Sequence, residues 1–242
     1  MNTMPALIPA RGGSKGVPKK NIKKIHNLPL IAYSILACKM CYNISDIIVS
    51  TDDPEIAEIA YEYGAKIPFL RPKEFAQDDS TDLDVLKHFF GYNKCPEVAY
   101  IRPTTPLRDP VSMELYIEEY FKNKNNITSV RSMHELAESP YKFLQIKEGL
   151  CQGFFEDFNG IKDYTNLPRQ TFPKAYHPNG YLDVIKKDVV DKGSTFGSLV
   201  YPIVTDFVTE IDTKEQFKYL EYEMEKVPSP ILQKFQKRSN ND

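Results

Sequence analysis

MPALIPARGGSKGVPKKN, residues 4–21, changes character halfway along its length. The short apolar run at residues 6–9 predicts a buried β-strand. The loop that follows, residues 10–21, holds three glycines and four cationic side chains. Glycine lets backbone N–H groups turn towards a ligand, and cations around such a concavity favour an anion. The stretch therefore predicts a first strand followed by a polyphosphate-binding loop.

The standard phosphate-binding motifs do not fit this loop. A Walker A sequence would need Gly-Lys where Val17 and Pro18 stand. A dinucleotide fingerprint that starts at Gly12 would need a third-position glycine, and Ser14 occupies that place. P-loop kinases and dinucleotide-binding dehydrogenases are therefore disfavoured. A solvated surface loop that happens to be basic remains the simpler alternative.

The composition is that of an ordinary globular protein. Its 242 residues include 31 Lys and Arg against 33 Asp and Glu, so the net charge is −2. This balance argues against a protein that coats nucleic acid. No stretch is long and apolar enough to span a membrane, and the first residues lack a secretory signal. Cys38 and Cys41, close together in an apolar helical pattern, are expected to be reduced, so we predict a cytoplasmic protein.

Short β-rich runs alternate with helical patterns over residues 6–130. This rhythm predicts an α/β protein with a Rossmann-like, mainly parallel sheet in three layers. Prolines, glycines and aromatic residues dominate residues 133–178, which predicts an insertion of β-hairpin character. We therefore expect an α/β domain in residues 1–132 and 179–227, the insertion between them, and a loose polar tail at residues 228–242.

Two carboxylates near the end of the α/β domain form a candidate metal pair. Residues 207–211 are predicted to be a strand, and side chains two apart on a strand face the same way. Glu210 and Asp212 would then lie together and repel each other unless a cation sits between them. Mg²⁺ held by carboxylates and substrate phosphates satisfies that need. The alternative is a polar strand end that caps the last helix through Asp212 or Thr213.

Several segments, taken in order, resemble the acylneuraminate cytidylyltransferase (CMP-sialic acid synthetase) family of sugar-acid cytidylyltransferases. The strongest is the opening loop, ARGGSKG at residues 10–16 with Lys20 and Asn21. The similarity runs from roughly residue 5 to residue 225, which is more specific than any single motif. The other matching segments are IVSTD at 48–52, LRP at 70–72 with Ala76, Asp78, Ser80 and Thr81, RPTTPLR at 102–108, PRQ at 168–170, PNG at 178–180 and EIDT at 210–213.

The resemblance implies a nucleotide-diphospho-sugar transferase type of fold and an Mg²⁺-dependent enzyme. The anomeric hydroxyl of an acidic sugar would attack the α-phosphate of CTP and release pyrophosphate. The insertion would be a dimerisation arm, so that a homodimer shares its active sites.

The family's site residues are carried over position by position. Lys20, Asp212 and Arg11 are the candidate catalytic residues, and Asp212 is also the first candidate for a general base. The implied nucleotide-binding residues are Ala10, Arg11, Gly12, Gly13, Ser14, Lys15, Lys20, Asn21, Arg71, Ser80, Thr81 and Pro103. The implied sugar-binding residues are Arg102, Thr104, Lys142, Arg169, Gln170, His177 and Asn179, among which Lys142 and Arg169 would pair with the sugar carboxylate.

Three positions depart from the family pattern. Arg102 stands where glutamine is usual, His177 where arginine is common, and Glu210 where the family has aspartate. The sugar is therefore open among sialic, legionaminic and pseudaminic types and less usual sugars. A nucleotide-binding homologue without turnover is the first alternative function. Nucleic-acid binding through the basic residues 11–24 is a weaker one, because the cluster lacks interleaved aromatic residues.

Overall fold

The computed structural model describes residues 2–227 and 229–233. In that part of the chain the first strand, β1, contains the apolar run that opens the sequence. The strands are β1 (Met4–Pro9), β2 (Lys24–Ile25), β3 (Leu28–Pro29), β4 (Ile44–Ser50), β5 (Glu97–Tyr100), β6 (Ser129–Glu135), β7 (Leu144–Lys147), β8 (Leu150–Gly153), β9 (Tyr176–Pro178), β10 (Asp183–Lys186) and β11 (Val200–Thr205).

The main sheet has the order β11-β6-β10-β5-β1-β4, and β9 pairs with β6 outside this path. Strand β1 is parallel to both β4 and β5, and β11 is parallel to β6. Strand β10 runs antiparallel to both of its neighbours, β5 and β6. The α/β prediction is confirmed, with a sheet that is mostly parallel around β1.

Helices cover both faces of this sheet. Neighbouring residues of β1 point to opposite faces, so Ala6 and Ile8 belong to one apolar core and Leu7 to the other. The second core also contains Phe89 of the third helix. The three-layer prediction is therefore confirmed. The helices are α1 (Leu30–Lys39), α2 (Pro54–Glu62), α3 (Asp82–Tyr92), α4 (Pro110–Asn123), α5 (Lys187–Asp191) and α6 (Lys214–Lys226).

Local capping signals explain where most of the long helices begin. The Asp53 and Asp109 carboxylates accept hydrogen bonds from the first-turn N–H groups of α2 and α4, each of which starts with proline. Thr81 and Thr213 form capping boxes at the starts of α3 and α6. Thr213 thus caps the last helix, which is the role that the alternative interpretation of residues 210–213 gives it.

The predicted insertion contains a small hairpin formed by β7 and β8. Strands β6 and β9 connect it to the main sheet. Tyr141 and Phe172 stack with ring centroids 5.2 Å apart, and Phe158 contacts both rings. Apolar side chains of the hairpin face outward: Ile146 is 78% exposed and Leu150 is 74% exposed. The insertion therefore has its own aromatic centre, and its hairpin exposes apolar side chains on both faces.

Two expectations for the C-terminal part are wrong. Residues 207–211 form a loop and not a strand, so alternation along a strand does not govern the directions of Glu210 and Asp212. The chain after residue 228 begins with a packed segment, because Ile231 and Leu232 are buried in the larger core. Apolar burial outweighs the polar composition of this tail up to residue 233. The rest of the predicted tail, residues 234–242, lies outside the described residues.

All four cysteines are free thiols. Cys38 and Cys41 are free, as predicted, and both are buried; burial raises the pKa of the Cys38 thiol to about 12. Cys151 on β8 is exposed. Across the described residues we find no helix with the length and apolar character that a membrane crossing requires.

Candidate active site

A cleft of about 400 Å³ opens at the carboxyl ends of β1 and β5. This is the edge where parallel α/β sheets bind ligands, and the volume suits a nucleotide-sized molecule. The wall combines the opening loop, the segment before α3, and the residues after β5. It is formed by Pro9, Arg11, Gly13, Ser14, Lys15, Gly16, Lys20, Asn21, Arg71, Phe75, Gln77, Asp78, Ser80, Thr81, Asp82, Val85, Tyr100, Arg102, Pro103, Thr104 and Asp212.

Lys20 is the most firmly held cation of the opening loop. Its Nζ donates to the backbone oxygen of Ile211 at 2.7 Å and to Asp212 Oδ1 at 2.9 Å, and its side chain is 13% exposed. An ammonium group has three donors, so the third can serve a ligand in the cleft. Asn21 supports this geometry, because its Nδ2 donates to the backbone oxygen of Arg11 at 3.0 Å.

Two glycines of the loop are needed for close packing. A Cβ on Gly16 would lie 2.0 Å from the backbone oxygen of Asp212, so only glycine lets the loop meet the opposite wall here. A Cβ on Gly12 would lie 2.9 Å from Asp53 Cβ.

Two residues that are predicted to bind the nucleotide, Ala10 and Gly12, lie outside the cleft wall in the described part of the chain. The Gly12 N–H already donates to Asp52 Oδ1 at 3.0 Å. Ala10 is fully buried, and its N–H donates to the Ser50 backbone oxygen at 2.9 Å. Both residues therefore support the loop from behind.

Arg11 and Lys15 meet a carboxylate across the mouth of the cleft. Arg11 Nη2 lies 3.1 Å and Lys15 Nζ 2.5 Å from the two oxygens of Asp78. Arg11 Nη1 also donates to the backbone oxygen of Gln77 at 2.6 Å. The hydrogen bond and charge of Lys15, with Arg11 nearby, lower the pKa of Asp78. Two of the cations that are predicted to bind phosphates are therefore paired with a carboxylate of the protein.

Arg71 is the least satisfied polar side chain in the cleft wall. It is 5% exposed, and its Nε and Nη2 have no hydrogen-bond partner among the residues that the structure describes. Burial lowers its pKa, opposed in part by the charge of Asp52. Phe75 and Val85 line the same wall. A guanidinium with open donors beside apolar surface suits a ligand with acceptor atoms on a flat ring.

Ser80 and Thr81 line the cleft, but their hydroxyls are engaged locally. Ser80 Oγ donates to the Glu74 backbone oxygen at 3.0 Å and accepts from the Gln77 N–H at 2.8 Å. Thr81 Oγ1 bonds Asp84 in the cap of α3. These two residues therefore shape the wall.

The predicted sugar-binding residues fall into two groups. Arg102, Thr104 and the neighbouring Pro103 line the cleft. Lys142, Arg169, Gln170, His177 and Asn179 lie outside its wall within the described ranges.

The outlying residues are held by other contacts. Lys142 Nζ donates to the Leu167 backbone oxygen at 2.7 Å, and Arg169 Nη1 donates to the backbone oxygen of Ala137. Asn179 is buried, and its Nδ2 donates to Thr205 Oγ1 at 2.7 Å. Asn179 therefore serves the fold of its own chain.

The two carboxylates of the candidate metal pair face different surroundings. Asp212 lines the cleft, whereas Glu210 lines a neighbouring groove with Phe207. Thr104 Oγ1 donates to Glu210 Oε1 at 3.3 Å. Burial, followed by the charge of Asp212, raises the pKa of Glu210. The two charges still sense each other, but Asp212 alone faces the cleft.

Asp212 fits a magnesium site of the kind that shares its ion with a substrate. Mg²⁺ commonly takes one or two protein carboxylates and completes its shell with water and phosphate oxygens. The Asp212 side chain is 64% exposed, which leaves its carboxylate open to the cleft. The described residues contain no cluster of three or more metal-binding side chains, so a cage built from protein alone is not found there.

Several residues of the wall are not among those that the sequence predicts: Phe75, Gln77, Asp82, Val85 and Tyr100 line the cleft. Asp78 also lines it, and the sequence indicates this residue only as part of a segment that resembles the family. These residues lie just before α3, within its first two turns or at the end of β5. Such positions could have indicated the wall, because loops and element ends at this sheet edge gather around a ligand. Which side chains turn inward depends on packing.

The layered sheet, the glycine-rich loop and the cleft at its carboxyl edge together form a nucleotide-sized site that contains cationic side chains. The fold is that of CMP:2-keto-3-deoxy-manno-octonic acid synthetase solved with CTP, with a TM-score of 0.70 over 93% of this chain and 99% of that chain at 15% identity. A family model described as Cytidylyltransferase matches residues 5–153. The chain belongs to the cytidylyltransferase family.

Relatives match over nearly the whole length of the chain. Post-translational flagellin modification protein B of Campylobacter coli is 31% identical over 92% of this chain and 95% of its own length. CMP-N,N'-diacetyllegionaminic acid synthase of Legionella pneumophila is 28% identical over 91% and 95%. The chain spans about half, 51%, of the N-acylneuraminate cytidylyltransferases of Streptococcus agalactiae. The predicted family and enzyme class are confirmed.

Proposed function

We propose that this cytidylyltransferase couples CTP to an acidic sugar of the nonulosonic type, giving a CMP-sugar and pyrophosphate. The observation that carries the proposal is the position of Lys20, which joins the glycine-rich loop to Asp212 across a nucleotide-sized cleft. The names of the relatives supply the substrate class, since they include synthases of CMP-activated acidic sugars.

The cations of the opening loop would bind the triphosphate. Lys20 has an open donor, and Arg11 and Lys15 would exchange Asp78 for phosphate oxygens. Arg71 would donate to acceptors of the nucleotide beside the apolar wall. Such contacts hold the α-phosphate in place for attack and neutralise the charge that pyrophosphate carries away.

We propose Asp212 as the protein ligand of Mg²⁺, with Glu210 excluded from direct coordination by its position on the neighbouring groove. When bound, the ion would supply charge neutralisation for the phosphates. Lys20 holds Asp212 Oδ1 and so orients this carboxylate towards the cleft.

We further propose that the active enzyme is a homodimer with shared active sites. The candidate carboxylate ligands Lys142 and Arg169 lie on the insertion and away from the cleft wall of their own chain. The exposed apolar residues of the hairpin, such as Ile146 and Leu150, favour a second copy as the cover. We also propose that the enzyme acts in the cytoplasm, where CTP is available.

The decisive experiment incubates the enzyme with CTP, Mg²⁺ and a panel of acidic sugars, and identifies the product by mass. We expect a CMP-sugar and one equivalent of pyrophosphate, both dependent on all three components. Omission of the metal and replacement of CTP by UTP serve as controls. Binding of CTP without a product from any sugar would instead favour a nucleotide-binding homologue that has no turnover.

A further inference from the structure

We propose that Arg102 is a positioning residue that clamps the helical wall of the cleft to the central sheet, and that it does not bind the carboxylate of the substrate. The proposal rests on the proposed function, because it concerns how the same cleft aligns its two substrates. It changes the role that the family resemblance implies for this position.

The guanidinium fork of Arg102 is divided between two carboxylates of the protein. Its Nη1 lies 2.6 Å from Asp183 Oδ2, and its Nη2 lies 2.5 Å from Asp82 Oδ2. Arginine is suited to such directed bonds because its donors are planar and fixed. Both terminal nitrogens are therefore paired with carboxylates of the protein, and these two negative charges exceed the single positive charge that would attract a substrate carboxylate.

The two carboxylates belong to different elements, and Asp82 alone lies in the wall of the cleft. Asp82 is the first residue of α3, and its Oδ1 accepts a hydrogen bond from the Tyr100 hydroxyl at 2.7 Å. Asp183 begins β10, and its Oδ1 accepts from the Ser132 N–H at 3.0 Å. Arg102 thus ties the helix that carries the nucleotide wall to the antiparallel strand on the other side of β5.

The surroundings keep Arg102 in this position. Asp183 is 1% exposed, so withdrawal of the guanidinium would leave a buried carboxylate without its counter-charge, which is strongly unfavourable. Gly180 has a φ of +61°, and a Cβ there would lie 2.9 Å from Arg102 Cδ. The backbone before β10 therefore packs directly against the arginine stem and blocks its rotation.

A clamp of this kind should affect the rate of reaction more than the binding of either substrate. Loss of alignment between a nucleophile and a phosphate lowers kcat even when the binding contacts remain. A residue that held the substrate carboxylate would show the opposite pattern, because its removal would raise the sugar KM first.

The test compares Arg102→Gln, Asp183→Asn and the double variant with Lys124→Gln as a matched control. Lys124 pairs with the buried Glu97 at the opposite end of β5, so its loss removes the same kind of ion pair far from the cleft. We expect each clamp variant to lower kcat about ten- to hundredfold with the sugar KM within threefold. The kcat of the double variant should equal that of the single variants, because each substitution breaks the same ion pair. Lys124→Gln should keep kcat.

A sugar KM raised tenfold or more by Arg102→Gln, with unchanged kinetics in Asp183→Asn, would overturn the proposal, as would wild-type kinetics in both. Arg102→Lys is a second variant for the case that the glutamine variant folds poorly. Lysine can pair with one carboxylate at a time, so the kcat of this variant should lie between those of Arg102→Gln and the wild type. Hydrogen exchange of the ligand-free variants provides a readout that requires neither turnover nor CTP binding.

Amides of Asp82–Tyr92 and Asp183–Lys186 should exchange faster in Arg102→Gln than in Lys124→Gln. If the wild type makes no CMP-sugar, the proposed function fails, and this comparison still decides the clamp: equal exchange in the two variants refutes it.

Discussion

Replacement of Arg71 by methionine should weaken CTP binding while it stabilises the ligand-free protein. The side chain is 5% exposed, and its Nε and Nη2 lack partners within the described residues. Desolvation of an unsatisfied donor costs about 1–3 kcal/mol, and methionine fills a similar volume without this cost. The charges of nearby Asp52 and Asp82 offset part of this desolvation cost.

We therefore expect a net gain of about 1 kcal/mol in the free energy of unfolding, or about 2–4 °C in Tm for a chain of this size. The loss in binding should be larger than the gain in stability. A hydrogen bond from a charged donor contributes about 1.5–3 kcal/mol, which corresponds to a roughly 10- to 150-fold rise in the Kd for CTP.

Calorimetric titration with CTP and thermal unfolding without ligand measure the two effects on the same samples. Arg131→Met is the matched control, because Arg131 on β6 also has a buried Nε without a partner in the described chain. Its guanidinium carbon lies 4.3 Å from the ring centroid of Phe196. It should leave CTP binding unchanged. A lower Tm together with an unchanged Kd for Arg71→Met would refute the assignment of its open donors to the nucleotide.

Two further substitutions test the opening loop. Lys20→Ala should raise the Kd for CTP about 10- to 150-fold in titration, since its open donor would contact the triphosphate. Lys19 is exposed and pairs with Glu55, so Lys19→Ala should leave this Kd unchanged. Equal effects of both would contradict a specific role for Lys20. Asp78→Asn should tighten CTP binding roughly two- to tenfold at low salt, because it frees the loop cations from a competing anion. Asp79→Asn is the control, and weaker binding by the Asp78 variant would show that this carboxylate helps to hold the nucleotide.

Sequence patterns predicted the layers of the fold because they report on neighbours along the chain. Alternation of Ala6, Leu7 and Ile8 between the two cores is a property of any strand. Capping at Thr213 likewise depends on residues within one turn. Polar composition misled at the tail, where Ile231 found a place in the core that no local pattern reveals.

The candidate site was predictable in outline for a similar reason. Glycines and cations after a first strand indicate an anion site, and parallel topology brings that loop to the edge where α3 begins. The error at Glu210 and Asp212 came from treating residues 207–211 as a strand, since a loop sets each side-chain direction separately.

By itself, the sequence determined the α/β architecture and the family to which the chain belongs, and it predicts that the opening loop binds phosphates. Tertiary structure alone decided that Lys20 faces the cleft, that Glu210 faces a neighbouring groove and that Arg102 is bound to Asp183. The physical reason is range. Periodicity and capping act over a few residues, whereas Arg102 and Asp183 are separated by 81 positions and meet only because β10 pairs with β5.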